Sequence, residues 1–171
     1  MLKGENCFLR ALEPEDLDLF YKWENNPEIW PMSNTLTPFS RKVLREYLAQ
    51  AHLDIYASKQ LRLVICTTEG NAVGAVDLFD FDPHNLRAGI GILIAEEMHR
   101  RRGIATEVIK LMKVYCAEKL NLHQLYCNIS ASNTKSIKLF EHCNFKSCGV
   151  KKDWMRKPKG YEDELMFQCL L

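Results

Sequence analysis

Residues 98–112 read MHRRRGIATEVIKLM. A His and three arginines run into a glycine, and an apolar stripe at helical spacing starts just after it. Three readings compete: a phosphate site, a nucleic-acid patch and a solvated helix entrance. The flanks decide the local fold. Upstream, NLRAGIGILIA (85–95) is apolar enough for a central strand. Downstream, Val108, Met112 and Tyr115 recur at helical spacing, and Ile109, Leu111 and Cys116 widen the stripe. A strand therefore feeds a short connection and then the first turn of a long helix. N–H groups in such a turn lack intrahelical acceptors, and with the helix dipole they attract an anion. Gly103 and Ala105 let a ligand approach the backbone, Thr106 adds a hydroxyl, and the arginines add fixed charge. This chemistry suits a pyrophosphate. The spacing R-x-x-G-x-A is neither a Walker A loop nor a Rossmann fingerprint, and GIG at 89–91 lies inside a strand.

The rest of the chain extends this unit on both sides. CFLRALE (7–13) alternates and predicts a first strand. EPEDLDLFYKWENN (13–26) predicts a short helix, with Pro14 near its start and Leu17, Phe20 and Tyr21 on one face. NNPEIWPMSNTLTP (25–38) is rich in prolines and turn formers and predicts a loop without regular structure. SRKVLREYLAQAHL (40–53) predicts an amphipathic helix capped by Ser40. LRLVICTTEGNAVGAVDLFDFD (61–82) predicts a hairpin turning at EGN. HQLYCNISA (123–131) predicts a strand and SNTKSIKLFEHCN (132–144) a short helix. The last 27 residues predict a hairpin turning at KPKG. The order is β-α-α-β-β-β-α-β-α-β-β, a mixed α/β layer structure in a single domain over 1–171.

Composition narrows the function. The 171 residues are 47% hydrophobic, which is ordinary for a globular fold, and the net charge is +1, from 23 basic and 22 acidic residues. A general nucleic-acid binder needs a larger basic excess, so no nucleic-acid partner is expected despite the second basic run KKDWMRKPK (151–159). No apolar run approaches the roughly 20 residues of a membrane span, and the opening MLKGENCFLRALEPED has no signal-like apolar region. The seven cysteines are scattered, without C-x-x-C or zinc spacing. Reduced core cysteines and a cytoplasmic location are the expectation, with no metal site and no membrane partner.

A second motif, NTKSIKLFEHCNF (133–145), completes a pattern with the first. Together they resemble the GNAT superfamily of acetyl-CoA-dependent N-acetyltransferases. Arg100, Gly103 and Ala105 match its Q/R-x-x-G-x-G/A signature. Asn133, Ser136, Leu139, Phe140 and Phe145 match its N-x-x-[AS]-x-x-[LF]-[YF]-x-x-x-G-F pattern. The opening LRALEPEDLDLFYKW (9–23) is similar to bacterial members, on the side of ribosomal-protein and spermidine acetyltransferases. The resemblance implies a three-layer fold: a mixed sheet of about seven strands with four helices, splayed between the fourth and fifth strands (85–95 and 123–131). It implies acetyl-CoA as co-substrate. Pantetheine would pair with the backbone of Ile92, Leu93 and Ile94. The pyrophosphate would lie on Arg100, Arg101, Arg102, Gly103, Ile104, Ala105 and Thr106. Asn133 and Ser136 would line the cofactor arm, although Asn133 reads equally well as a plain helix cap and Ser136 as an ordinary helix residue.

The chain departs from the family where proton transfer takes place. Many relatives carry Glu in a strand reading R-A-E-I-G, where this chain has Gly89, and Tyr where it has Phe140. One residue also stands extra between RAGIGILI and Arg100. Substitutes are sought on VDLFDFD (76–82). Strict alternation puts Asp77, Phe79 and Phe81 on one face and Val76, Leu78, Asp80 and Asp82 on the other. Asp77 and Asp80 match the acidic pair of V-E-L-V-E in bacterial spermidine acetyltransferases, which points to a cationic acceptor held by carboxylates; a strand end facing water reads as well. Tyr126 is a replacement acid or a core tyrosine with a satisfied hydroxyl. The expected function is acetyl transfer to a primary amine by direct attack, the acceptor being a polyamine-like small molecule or a protein N-terminus. The alternative is a GNAT-like module that binds acyl-CoA without catalysis. Homo-oligomers are expected, because relatives often pair through the closing strands.

Overall fold

The computed structural model describes residues 2–33, 35–51 and 53–171. Its strands are β1 (Leu2–Lys3), β2 (Cys7–Arg10), β3 (Leu61–Thr67), β4 (Ala72–Asp82), β5 (Arg87–Ile94), β6 (Gln124–Ser130), β7 (Lys146–Lys157) and β8 (Gly160–Leu170). They form one sheet in the order β1-β2-β3-β4-β5-β6-β8-β7. Every neighbouring pair is antiparallel except β5 and β6. That single parallel joint is short: Arg87, Ala88 and Gly89 bridge Gln124, Leu125 and Tyr126. Beyond it β5 stays paired with β4 and β6 with β8, so the sheet splits and opens toward Ile94 and Ser130. The strand after the crossover helix returns parallel, as a βαβ unit requires.

The helices are α1 (Leu17–Glu24), α2 (Trp30–Ser33), α3 (Arg41–Ala49), α4 (Ile55–Ser58), α5 (Ile104–Glu118) and α6 (Thr134–His142). The four with eight or more residues are the four expected. The sheet has eight strands, not seven, because Leu2–Lys3 adds a two-residue edge against Leu9 and Phe8. The stretch 25–38 is not wholly irregular either. One helical turn forms at Trp30–Ser33, anchored by buried Ile29 and by the Trp30 indole, which donates to Glu24 O at 2.8 Å.

The layers follow from the periodicities. Val108, Ile109, Met112 and Cys116 of α5 are fully buried against Val76, Leu78, Ile90 and Leu125 of the sheet, and Phe140 of α6 joins them. On the opposite face Phe20 and Trp23 of α1 cover Val64 and Cys66 of β3. Ser40 caps α3 by accepting from Val43 N at 3.2 Å, worth about 1 kcal/mol. Arg10 forks onto both oxygens of Asp16 at 2.7 Å, and Glu13 N donates to the same carboxylate at 2.9 Å. Asp16 thereby fastens the start of α1 to the end of β2. Among the described residues no helix is long and apolar enough to cross a membrane.

Candidate active site

At the open end of the split lies the loop that leads from β5 into α5. Arg101 has φ 60° and Gly103 φ 80°, so two left-handed residues flank Arg102 before α5 begins. A left-handed non-glycine costs about 1 kcal/mol and turns successive N–H groups inward, which makes an anion-binding nest. Among the described residues, the N–H groups of 101–106 have no backbone or side-chain acceptor, while the flanking ones do: Arg100 N donates to Glu97 O and Glu107 N to Gly103 O, both at 3.0 Å. A Cβ added at Gly103 would meet nothing within 4 Å. Six free amides around an open concavity fit a pyrophosphate.

Arg100 plays another part. Its guanidinium donates to Ile94 O at 2.9 Å, to Ala95 O at 3.2 Å and to Glu97 Oε1 at 3.1 Å. It is a strut of the loop, and Arg101 and Arg102, exposed like it, add positive charge facing solvent. The expected pantetheine segment, Ile92, Leu93 and Ile94, lies on β5 past the joint, with no β6 partner on the side of the split. Asn133 caps α6, its Oδ1 accepting from Ser136 N at 3.2 Å. That fixes Asn133 at the turn between β6 and α6 and Ser136 in the first turn of α6.

At the closed end, the structure rearranges the expected acid–base residues. Phe79 pairs with Gly89 and Asp82 with Arg87, so two β4 residues, Asp80 and Phe81, oppose Ala88 alone. This is a β-bulge, with Asp80 in a left-handed conformation at φ 49°. The bulge overturns strict alternation. Phe81 joins Val76 and Leu78 in the core, and Asp80 turns to the face of Asp77 and Phe79. There the Tyr126 hydroxyl donates to Asp80 Oδ2 at 3.2 Å. Burial and the neighbouring carboxylate push the Tyr126 hydroxyl up to about 12, so it carries its proton throughout the physiological range.

The expected partnership of Asp77 and Asp80 does not form. Arg62 donates from Nε and Nη2 to both oxygens of Asp77 and from Nη1 to Glu24 Oε1 at 2.6 Å. Its guanidinium lies 5.7 Å from the Phe20 ring and 5.6 Å from the Tyr47 ring. Asp77 and Glu24 are thus neutralised at the junction of β3, β4 and α1, and Asp82 pairs with Arg87. Among the described residues, Asp80 is the β4 carboxylate without a basic partner.

Gly89 has a steric reason. A Cβ there would lie 2.2 Å from Phe79 Cε2. The Phe79 ring fills the space of a side chain at position 89 and meets Tyr126 edge-to-face, centroids 6.0 Å apart. Phe140 is core, packed edge-to-face on Phe145 at 5.0 Å. Neither position carries a proton. Sequence reasoning missed Phe79 and Arg62; the signals available were the lone Arg in LRLVICT and an aromatic opposite a glycine, which gain meaning only once the strand register is known.

Comparisons with known proteins bear on the family and the fold. The family model described as Acetyltransferase (GNAT) domain matches residues 6–146. The chain is similar to the spermidine N-acetyltransferase of Vibrio cholerae, solved in complex with CoA and spermine. The TM-score is 0.86 at 27% identity, covering 96% of this chain and 95% of that one. It is also similar to a dodecameric structure of spermidine N-acetyltransferase from Vibrio cholerae, with a TM-score of 0.78, 26% identity and coverage of 96% and 93%. Among curated proteins, the alpha/beta-tubulin-N-acetyltransferase 9 of Mus musculus is 37% identical over 162 residues, 88% of this chain and 66% of that protein. The amide cradle, the split sheet and these matches converge: the chain belongs to the GNAT acetyltransferase family and is an acyltransferase that uses acetyl-CoA.

Proposed function

We propose that this protein transfers the acetyl group of acetyl-CoA to a primary amine by direct attack. The acceptor is a polyamine or similar small diamine. The observation that carries the reading is the pairing of six acceptor-free amides at the open end of the split with the Asp80–Tyr126 pair at its closed end. Acetyl-CoA supplies an activated acetyl thioester. The amides of 101–106 hold its pyrophosphate, assisted by Arg101 and Arg102, and the free edges of Ile92, Leu93 and Ile94 line the route of its pantetheine. Asn133 and Ser136 flank that route.

Asp80 takes the proton of the attacking amine, and Tyr126, held protonated, is the donor toward the leaving thiolate. The pair thus does what the family's Glu and Tyr do elsewhere. Burial pushes the thiols of Cys7 and Cys116 up to about 12, and Cys127 higher still. These three supply no thiolate at neutral pH, which supports direct attack over an acyl-cysteine route.

The unpaired charge of Asp80 and the likeness to a structure solved with spermine support a cationic acceptor. Likeness to the dodecameric structure supports a homo-oligomer, and the free cysteines fit a reducing cytoplasm. The test of the donor site uses Gly103→Val beside Arg101→Ala/Arg102→Ala, with acetyl-CoA affinity measured by calorimetry. No protein atom lies within 4 Å of a Cβ at Gly103, but its φ of 80° strains any side chain there, so the valine is expected both to obstruct a ligand and to lower the Tm. It is expected to weaken binding more than loss of both arginines. Unchanged affinity in Gly103→Val refutes the placement of the pyrophosphate.

A further inference from the structure

The cradle and α1 lie on different parts of the fold, yet one carboxylate joins them. Immediately after β5, the N–H groups of Ala95 and Glu96 both donate to Val73 O, at 2.9 and 3.3 Å. The side chain of Glu96 then reaches across to α1. Its Oε1 accepts from Lys22 Nζ at 2.7 Å and from the indole Nε1 of Trp23 at 3.3 Å. Trp23 is 3% exposed and its ring lies tilted against that of Phe20 with centroids 5.6 Å apart, and Ala95 packs against the same cluster. From the other side Arg100 grips the carbonyls of Ile94 and Ala95. The N–H that follows Arg100, that of Arg101, is without an acceptor. Little slack separates the indole of α1 from the start of the cradle.

Glu24, the next residue of α1, is tied as well. Glu24 is bound to Arg62, and Arg62 to Asp77, three residues before Asp80. Helix α1 therefore touches both halves of the site through side-chain charges: the donor cradle through Glu96 and the acid–base strand through Arg62.

We propose that Glu96 is a positioning residue that couples α1 to the amide cradle, so that cradle occupancy and the placement of α1 form one equilibrium. It touches neither substrate. Binding at the cradle steadies Ala95 and Glu96, and Glu96 steadies Trp23 and with it the α1 wall on the other side of the sheet. By linkage, whatever orders α1 tightens the cradle by the same factor. The inference rests on the reading of 101–106 as the pyrophosphate site.

Hydrogen exchange with CoA itself as the probe tests the coupling without knowledge of the acceptor. Saturating CoA is expected to slow exchange in a peptide spanning Leu17–Glu24 in the wild-type protein. Glu96→Ala is expected to abolish that protection and to raise the Kd for CoA by about fivefold or more. Glu96→Gln, which keeps an oxygen for the Trp23 indole, is expected to retain most of both. Trp23→Phe, which keeps the packing but loses the N–H, is expected to resemble Glu96→Ala, and the double variant to be no worse than either single one. If Glu96→Ala proves unfolded, Trp23→Phe and Glu96→Gln carry the comparison. Protection of α1 that is absent in the wild type, or equal across the variants while CoA still binds, overturns the coupling. Failure of the wild type to bind CoA at all removes the cradle reading and the coupling with it.

Discussion

The two positions where the family resemblance places proton carriers hold Gly89 and Phe140, and the proposed mechanism uses neither. Gly89 is small because the Phe79 ring occupies its side-chain space, and Phe140 is a core residue. In the proposed mechanism the proton chemistry falls to Asp80 and Tyr126. Tyr126→Phe and Asp80→Asn are each expected to lower kcat by about 10²-fold or more, in the range of general acid–base catalysis, with acetyl-CoA affinity unchanged; steady-state kinetics beside calorimetry separates the two. Asp80→Asn also removes a negative charge next to the phenol. The Tyr126 ionisation, followed by its ultraviolet absorbance, is expected to fall from about 12 toward its ordinary value. An unmoved titration would contradict the hydrogen-bonded pair. Tyr126 and Asp80 were legible as candidates because a polar residue in an apolar strand stands out. That they meet was not legible, since it depends on a bulge.

Elements explain what the pattern could not. In β4 the alternation holds from Val76 to Phe79 and then breaks, because two residues oppose Ala88. A bulge is set by pairing with another strand, and Asp is one of the few residues that tolerates the left-handed conformation it imposes. The reading placed Asp80 opposite Asp77 for that reason. The exchange between β4 and β5 has a measurable signature. Gly89→Ala is expected to destabilise the fold by about 1–3 kcal/mol through overpacking against Phe79, and Phe79→Ala should relieve most of that penalty in the double variant. Additive effects in denaturant titrations would mean that Phe79 and Gly89 do not share that space.

The junction between β2 and α1 makes a different prediction. Burial pushes the Asp16 carboxyl up, but the Arg10 fork and the Glu13 N–H outweigh it and leave the group below its ordinary value of 3.8. A depressed carboxyl stabilises the fold above its unfolded value and loses that contribution as pH falls through the folded one. Asp16→Asn is therefore expected to cost stability at pH 7, with the difference shrinking below pH of about 4. A difference as large at low pH as at pH 7 would contradict an ionic role. The start of α5 and the Ser40 and Asn133 caps were readable because capping is a local matter. The turn at Trp30–Ser33 was not, because it depends on the distant Glu24 carbonyl.

At the scale of the molecule, function follows from one interruption. A single parallel joint three residues long lets the sheet split, and the first turn of α5 and the cap of α6 follow the ends of β5 and β6 on the side toward which it opens. Periodicity and the order of elements conveyed that architecture, because a strand, a glycine turn and an apolar helix in sequence allow few packings. What they did not convey was the allocation of charge: Arg100 as a strut, Asp77 spent on Arg62, Glu96 holding α1. Ion pairs between residues far apart in sequence leave no periodic trace. One assay tests acetyl transfer most directly: release of free thiol from acetyl-CoA in the presence of spermidine, putrescine and a peptide with a free N-terminus. Thiol release matched by acetylated amine, fastest with the polyamines and suppressed in Tyr126→Phe, is the predicted result. Acetyl-CoA that binds tightly and stays intact with every amine would contradict it.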